Sequence, residues 1–472
     1  MMTASGSNRK SPRIIAIRVL ITIRPALDLR RRIALMPATF PRATPTVAIE
    51  THGCKLNAAD SERLAREFAA AGFAVGQAQD ADVFVLNSCT VTAVADRKAR
   101  QALAAARRRR PDALIVASGC FAERSPNAVD ALEAVDLTVT NRAKAELVGL
   151  VAARLGLGPR DPVASTAGVA GTTGRTRAFL RIQEGCDQVC AYCIVPRVRG
   201  RERSIPEEQL VAEVRVAFDG GRREVVLTGT QLGSYGFDLE GTDLRRLLLR
   251  LLRSTEMPRI RVSSLQPLEL TEGLLELWSG EGRGRLCPHF HMPLQSGSDG
   301  ILRRMRRRYS AARYIDAVER VKRAVPAAAV TTDIIAGFPG ESDEDFALTV
   351  AVVREAELAG AHVFPYSARP GTSASKFPDQ VPHEVKASRA AELRRLARAA
   401  ETKFREHLVG QVRPVLWESD GPPLAGLTDN YVRVVAAPGE QYVGPNRIEE
   451  VELVANRSGH MVGMPRMRTP EK

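Results

Sequence analysis

Cys186, Cys190 and Cys193 stand in the run Cys186-Asp187-Gln188-Val189-Cys190-Ala191-Tyr192-Cys193, three thiols at C-x-x-x-C-x-x-C spacing. Thiols clustered in this way are metal ligands by type, and an iron–sulfur cluster normally takes four of them. Three ligands on a four-iron cluster leave one iron open, and an open iron can chelate a substrate or cofactor. Zinc is the main alternative, but its sites favour a C-x-x-C pair matched by a second Cys/His pair downstream. The next cysteine here is Cys287, and no partner pair follows. A disulfide fits less well. With seven cysteines and no stretch that reads as a cleavable secretory signal, a reducing compartment is expected, and with it a cytoplasmic location.

Such a loop must be held by rigid elements, and the chain supplies them as alternating strands and helices. From Thr46 the order is apolar Val47-Ala48-Ile49, a helical pattern from Asp60 to Gly72, the strand Asp82 to Leu86, a helix from Ala95 to Arg110, and the strand Ala113 to Ala117. Short apolar strands alternating with helices predict a parallel sheet covered on both faces. Each strand leads to a cysteine: Cys54 after the first, Cys89 after the second, Cys120 after the third. Carboxyl ends of parallel strands share one edge, where ligand crevices form. Buried cysteines are also common core fillers, but three in succession beside Gly or Asn predict a second three-cysteine cluster.

Glycine and proline crowd residues 156–177, which read as a linker. A second domain, 178–408, opens with Phe179 to Ile182 as the strand that delivers Cys186. Further strands are predicted at Glu224 to Leu227, Arg259 to Val262, Pro288 to Pro293, Val330 to Ile335 and Ala361 to Pro365. Six βα units imply a partial or full β/α barrel with its active site at the carboxyl ends of the strands. A basic helix from His383 to Leu408 follows. Residues 409–472 then carry short strands (Val412 to Leu416, Tyr431 to Val435, Glu449 to Val454) separated by Gly/Pro turns, the pattern of a small β-barrel. Pro414 marks the first of these as an edge or bulged strand. The fold class is α/β: an amino-terminal parallel domain over 46–155, a central barrel and a small carboxy-terminal β-barrel. No internal repeat is present beyond the βα alternation.

The formal charge of +14 hints at a polyanionic partner, but nine Lys/Arg against one acid put +8 of it in residues 1–45. That leader reads as an unstructured or misassigned extension, with a transit peptide or a nucleic-acid arm as the functional alternatives. Residues 410–472 hold seven Lys/Arg and eight Asp/Glu, so RNA affinity there must come from local patches. No apolar run reaches the ~20 residues that a membrane span requires.

At Cys186, Cys190 and Cys193 the sequence resembles the radical S-adenosylmethionine superfamily. With Cys54, Cys89 and Cys120 upstream and the small barrel downstream, residues 46–470 resemble a methylthiotransferase whose closing domain is similar to the TRAM domain. The resemblance implies two four-iron (4Fe-4S) clusters and S-adenosylmethionine as cofactors. The open iron of the Cys186, Cys190 and Cys193 cluster would chelate S-adenosylmethionine, whose one-electron cleavage releases a 5′-deoxyadenosyl radical. Cys54, Cys89 and Cys120 would hold an auxiliary cluster at which sulfur is methylated. Finer wording resembles the subgroup acting on C2 of N6-threonylcarbamoyladenosine beside the tRNA anticodon. It lies in Gly53-Cys54-Lys55-Leu56-Asn57, Cys89-Thr90-Val91-Thr92, Asp96-Arg97-Lys98, Gln183-Glu184-Gly185-Cys186, Cys287-Pro288-His289-Phe290-His291 and Val363-Phe364-Pro365-Tyr366-Ser367. His52, Ser88 and Ser298 depart from the usual pattern without removing a ligand.

The resemblance also implies cofactor contacts at Tyr192, Thr228, Gly229, Gln231, Ser263, Gln295 and Gly337, each just past a strand end or beside the cysteines. Thr230, Ser264 and the rest of Gly337 to Glu341 share those loops. No acid–base residue is nominated, because C2 of adenine is unactivated and is reached by a carbon radical. Implied partners are the tRNA anticodon loop and an external electron donor. Arg197, Arg199, Arg201 and Arg203 alternate, and in an extended segment would present four guanidiniums on one side, either to RNA or to carboxylates. Arg303, Arg304, Arg306, Arg307 and Arg308 read as a solvated face, Arg107 to Arg110 as a helix end, and Cys287 as a buried non-ligand.

Three rival functions remain. The same cluster pair serves methylthiotransferases of isopentenylated adenosine and of a ribosomal-protein aspartate, and a near-neutral tail keeps the protein substrate open. A non-catalytic iron–sulfur scaffold or RNA-binding redox sensor is the third, against which the polar strand ends of a barrel stand.

Overall fold

The structure, a computed structural model, describes residues 44–76, 81–157, 176–418 and 422–466. The leader expected over 1–45 and most of the linker expected over 156–177 lie outside the described residues.

In the first unit β1 (Thr46–Thr51), β2 (Ala74–Val75), β3 (Val83–Ser88), β4 (Leu114–Gly119) and β5 (Leu137–Val139) form a parallel sheet of order β2-β1-β3-β4-β5. Every residue of β3 and β4 is buried. Strands covered on both faces need no polar alternation, which is why these read as apolar runs. On one face Val47, Val85 and Val116 pack under Leu64 and Phe68 of the helix Lys55–Ala70. On the other, Phe84, Leu86 and Ile115 pack under Leu103 of the helix Ala93–Arg109. Connections run in opposite directions from β1 and β3, and such a switch point is where open sheets form ligand crevices. The first helix begins at Lys55 rather than at the expected Asp60. Its first buried residues include Asn57, Asp60 and Ser61, polar side chains that carry no apolar period.

All six segments expected as barrel strands are strands in the second unit. β6 (Arg177–Arg181), β9 (Glu224–Thr228) and β10 (Arg259–Val262) form one parallel sheet, and β11 (His289–His291), β12 (Ala329–Ala336) and β13 (Gly360–Pro365) another. Bridges Ile260 to Leu286 and Ser264 to His291 join them, so the barrel is partial and open between β6 and β13. A short ribbon of β7 (Gln183–Glu184) and β8 (Arg203–Ser204) leaves its rim. Edge strand β6 is covered, as free edges generally are. The helix Lys55–Ala70 lies along it, and Glu62 accepts the Phe179 N–H at 3.2 Å.

The helix His383–Glu406 leads to a closed barrel of order β14-β15-β16-β18-β17. Its strands are β14 (Val412–Trp417), β15 (Ala425–Thr428), β16 (Arg433–Ala436), β17 (Ile448–Arg457) and β18 (His460–Pro465), around a fully buried Trp417. Contrary to the expectation from Pro414, β14 is paired on both sides. The β15 ladder begins only at Val415, so the missing Pro414 N–H costs no ladder bond, and its carbonyl takes the Asp429 N–H at 3.2 Å.

Candidate active site

Cys54 caps the helix Lys55–Ala70 after β1, Cys89 follows β3, and Cys120 opens the helix Cys120–Arg124 after β4. All three stand at the carboxyl edge, astride the switch point. Gly53 has φ 129°, and a Cβ there would lie 2.5 Å from the Cys89 Cβ, so only glycine lets the two loops approach. Burial pushes the Cys89 thiol up to about 12, and the neighbouring Cys54 and Cys120 add to the rise. Weak donors surround the sulfurs: the Val91 N–H at 3.4 Å from Cys89 Sγ and Asn141 Nδ2 at 3.7 Å from Cys120 Sγ.

The second trio lies on the loop between β7 and the helix Val195–Arg199. Gly185 has φ 78°, and its ideal Cβ position is only 1.9 Å from the Arg201 carbonyl oxygen. Glycine is therefore required where the loop folds back, with the Cys186 N–H donating to Gly200 O at 3.1 Å. Burial, with the neighbouring thiols adding, raises Cys186 to about 12, and burial raises Cys193 to about 11. Arg307 Nη1 lies 3.6 Å from Cys190 Sγ, and its Nε donates to Tyr309 Oη at 3.1 Å.

Both trios suit iron–sulfur clusters. All six thiols are free, and around Cys89, Cys186 and Cys193 burial disfavours the thiolate unless a cationic centre arrives. Among the described residues no three His, Cys, Asp or Glu side chains converge closely enough to hold a single metal ion.

The two trios are neighbours. Cys120 packs against Ile194 and Val198, and Ile194 directly follows Cys193. Asn141 Nδ2 spans the seam, donating to Val198 O at 2.8 Å. Beneath it lies a buried ionic network. Asp60 accepts from Lys144 at 2.9 Å, Arg181 at 3.0 Å and Arg199 at 3.1 Å. Arg199 also donates to Glu184 at 2.8 Å and to Asn57 Oδ1 at 2.5 Å. One carboxylate therefore ties the helix after Cys54 to the segment after Cys193. A second tie runs from Thr90 and Asp96, beside Cys89, to Arg124 and to Arg369 beyond β13.

The arginine expectations need two corrections. Arg197 to Arg203 are not one extended row: Pro196 near the start of a helical turn and Gly200 at its end, with φ 76°, fold Arg197 and Arg199 into the helix Val195–Arg199. Arg199 is buried in the ionic network, while Arg197, Arg201 and Arg203 are exposed. Arg307 is not on a solvated face but turns inward to Cys190. Sequence reasoning missed its place and that of Asp60, because partners more than a hundred residues apart leave no local pattern; Lys144 and Glu184 join the same network at shorter separations that follow no helix or strand period. Cys287 is buried, and its carbonyl accepts from Trp278 Nε1 at 2.9 Å.

The positions expected to touch cofactor line the rim beside the cysteine loop. Thr228 ends β9, and a Cβ on Gly229 would lie 3.0 Å from Gln183 O. Gln231 accepts from Gln266 Nε2 at 2.7 Å and donates to Glu269, and Gln266 also donates to Gln188, between Cys186 and Cys190, at 3.1 Å. Ser263 follows β10, its N–H donating to Leu227 O at 3.1 Å. Gln295 has φ 66° and bonds across to Asp333 and Ile335. The Gly337 N–H is held by Glu341 at 3.0 Å. Tyr192 lies edge-on to Phe338, ring centroids 6.4 Å apart. Thr230 Oγ1, on the same rim, is buried with no hydrogen-bond partner among the described residues, which suits a surface that takes a ligand.

Comparison with known proteins accords with this geometry. A profile of the Radical SAM superfamily matches residues 180–353, and one of "Uncharacterized protein family UPF0004" matches residues 46–140. Threonylcarbamoyladenosine tRNA methylthiotransferase MtaB of Bacillus subtilis is 35% identical over 428 residues, covering 87% of this chain and 94% of that protein. The protein of the same name from Aquifex aeolicus is 37% identical, covering 82% of this chain and 96% of its own length. A tRNA-2-methylthio-N(6)-dimethylallyladenosine synthase of Acidothermus cellulolyticus is 37% identical, covering 82% and 81%. Among solved structures, the radical S-adenosylmethionine methyltransferase TsrM of Kitasatospora setae, with cobalamin and a 4Fe-4S cluster bound, shares the fold. Its TM-score is 0.51 at 15% identity, covering 70% of this chain and 74% of that one. Both trios, the open barrel and relatives matched along nearly their whole length lead to one conclusion: the chain belongs to the radical S-adenosylmethionine methylthiotransferase family.

Proposed function

We propose that this chain adds a methylthio group to C2 of N6-threonylcarbamoyladenosine in the anticodon loop of tRNA, with S-adenosylmethionine and 4Fe-4S clusters as cofactors. Cys186, Cys190 and Cys193 are assigned to the cluster that takes S-adenosylmethionine, and Cys54, Cys89 and Cys120 to the auxiliary one. When bound, these groups supply a carbon-centred radical and a methylated sulfur that no side chain could furnish. The observation that carries the reading is the packing of Cys120 on Ile194, next to Cys193. It brings the loops that carry the two trios onto one seam, which supports a reading in which a single adenine meets both.

What the chain itself contributes is position. Asp60 and Arg199 lock the two loops together, and Gln231, Gln266 and Gln188 link the barrel rim to the cysteine loop. Tyr192, Thr228, Gly229, Gln231, Ser263, Gln295 and Gly337 are proposed to seat S-adenosylmethionine. Domain limits at 46–155, 178–408 and 409–472 follow the same division of labour. An external electron donor and a cytoplasmic setting complete the proposal; no described helix is long and apolar enough to cross a membrane.

The test is anaerobic reconstitution, reaction with S-adenosylmethionine, reductant and threonylcarbamoyladenosine-bearing tRNA, and mass spectrometry of the digested RNA. Methylthio-threonylcarbamoyladenosine is the expected product. Product only from dimethylallyladenosine tRNA would favour the second reading, which the 37% identity to the Acidothermus synthase supports. Product only on a ribosomal protein would overturn both. Cys190→Ala should abolish S-adenosylmethionine cleavage, whereas Cys89→Ala should retain part of it yet lose sulfur transfer; equal loss of both would sink the assignment of the trios.

A further inference from the structure

The interior of the open barrel ends in a floor that neither cluster explains. Tyr431, from the turn between β15 and β16, enters from the third unit and stacks on His289 of β11, ring centroids 4.7 Å apart and planes within 13°. Its φ is 73°, left-handed backbone that a bulky residue rarely holds, so the surrounding structure pays to aim this ring into the barrel. Three cations face the ring: Arg261 with Cζ 4.9 Å from its centroid, Arg177 with Cζ at 5.6 Å, and Lys55 with Nζ at 5.9 Å. The walls are His289, His291, Thr331, Asp333 and His362. His362 and Phe364 are exposed although they lie on the inner face of β13, so the interior is open to solvent.

One cation of the three differs from the others in its partners. Arg261 is held by Glu224 at 2.7 and 3.0 Å, and Arg177 by Glu418 at 2.7 Å. Asp333 is met by His291 at 3.2 Å. The Lys55 ammonium makes no ion pair or hydrogen bond among the described residues, although the side chain is partly buried. One further polar atom belongs to a side chain that shares the Tyr431 ring with it. His289 binds Thr331 Oγ1 through Nε2 at 3.1 Å, and its Nδ1 is buried without a partner. An unpaired ammonium and an unpaired imidazole nitrogen on one aromatic floor match an anionic group with a second acceptor.

We propose that Lys55, with His289 and the Tyr431 floor, recognises the carboxylate that the substrate carries on its N6 substituent, and so selects the threonylcarbamoyl group over a neutral alkyl one. The inference rests on the substrate reading above. Its geometry follows from the chain: Lys55 directly follows Cys54, so the cation stands beside the auxiliary trio. C2 must reach both trios, and N6 is borne by C6, which shares N1 with C2, so the N6 substituent leaves the ring beside the reacting edge, within reach of a cation that neighbours the auxiliary trio. A dimethylallyl group there would leave the ammonium unpaired, and such discrimination against a missing partner is strong in a site built for hydrogen bonding. Among the described residues Asp333 is the anion of this wall, and its carboxylate is engaged by His291 Nε2 at 3.2 Å.

The experiment is a substrate–residue cycle on the reconstituted full chain. Wild type, Lys55→Gln and Lys55→Arg are assayed on tRNA bearing threonylcarbamoyladenosine, on the same tRNA with that carboxylate converted to its methylamide, and on dimethylallyladenosine tRNA. Wild type should lose about 10- to 100-fold in kcat/KM on the amide, chiefly through KM, the range of one charge-assisted hydrogen bond. Lys55→Gln should lose the same factor on the acid and little more on the amide, and Lys55→Arg should recover most of it. The amide arm needs no variant, so a folding defect cannot mimic the result. Equal turnover of acid and amide by wild type, or equal losses of Lys55→Gln on both, overturns the inference while leaving the substrate reading intact. Turnover of dimethylallyladenosine tRNA alone overturns the substrate reading and the inference with it.

Discussion

Replacing Asp60 by asparagine removes one negative charge from beneath both cysteine loops, and the structure sets the cost. The side chain is 1% exposed and serves Lys144, Arg181 and Arg199. Arg181 and Arg199 keep Glu184 at 3.0 and 2.8 Å. Lys144, 5% exposed, keeps only Asn87 Oδ1 at 3.4 Å. The loss therefore falls on one buried ammonium left without an anion, which costs about 3–5 kcal/mol. In a unit of this size that lowers the melting temperature by on the order of 10 °C. Calorimetry of the metal-free protein at neutral pH measures it. Adding Lys144→Met should restore more than half, because removing both partners of a buried pair costs far less than removing one. The pH dependence is a second check. Burial alone would raise the Asp60 carboxyl, but Lys144, Arg199 and Arg181 outweigh it and hold it well below the usual carboxylate range. Its contribution is thus complete above the unfolded value near pH ~4 and fades only as pH falls further. A gap between wild type and variant under about 1 kcal/mol at neutral pH, or no rescue by Lys144→Met, would refute the reasoning.

Three further outcomes are expected. Burial pushes the Glu269 carboxyl up to about 7. Its charged form is disfavoured in the fold, so stability should decline between about pH 4.5 and 7 by up to about 3 kcal/mol and level off above. Glu269→Gln should flatten that decline in melting-temperature scans, and a parallel decline in the variant would contradict the cause. Arg307→Gln removes a positive charge 3.6 Å from Cys190 Sγ. The bound cluster should become harder to reduce by about 50 mV in an electron-paramagnetic-resonance titration, with Arg307→Lys intermediate; an unchanged potential would limit Arg307 to packing. Arg369→Gln leaves Asp96 to Arg124 alone, 2.7 Å away. It should destabilise the fold by about 2–3 kcal/mol in urea unfolding, and a change below 0.5 kcal/mol would show the tie to be idle.

Legibility in the sequence followed the range of the interactions. The barrel strands were readable because each is a short apolar run bounded by polar loops. β15 and β18 were not, since Gly426 and Gly463 dilute the strand signal inside a barrel whose tight packing excludes larger side chains. Pro414 misled because a local rule about a missing N–H cannot know where a neighbouring ladder ends. Arg197 to Arg203 misled because a single turn, started beside Pro196 and ended at Gly200, breaks an alternation that exists only on paper.

By itself the sequence determined which residues to propose for the chemistry: thiol type and spacing point to an iron–sulfur ligand set, and strand-to-cysteine succession brings Cys54, Cys89 and Cys120 to one sheet edge, because parallel strands have only one carboxyl edge. Tertiary structure alone decided how the two sets face each other. Cys120 against Ile194, Asp60 beneath Arg199, Arg307 on Cys190 and Lys55 over Tyr431 are contacts between segments far apart in the chain. They arise from packing and charge burial in three dimensions, and no local periodicity or propensity records such forces.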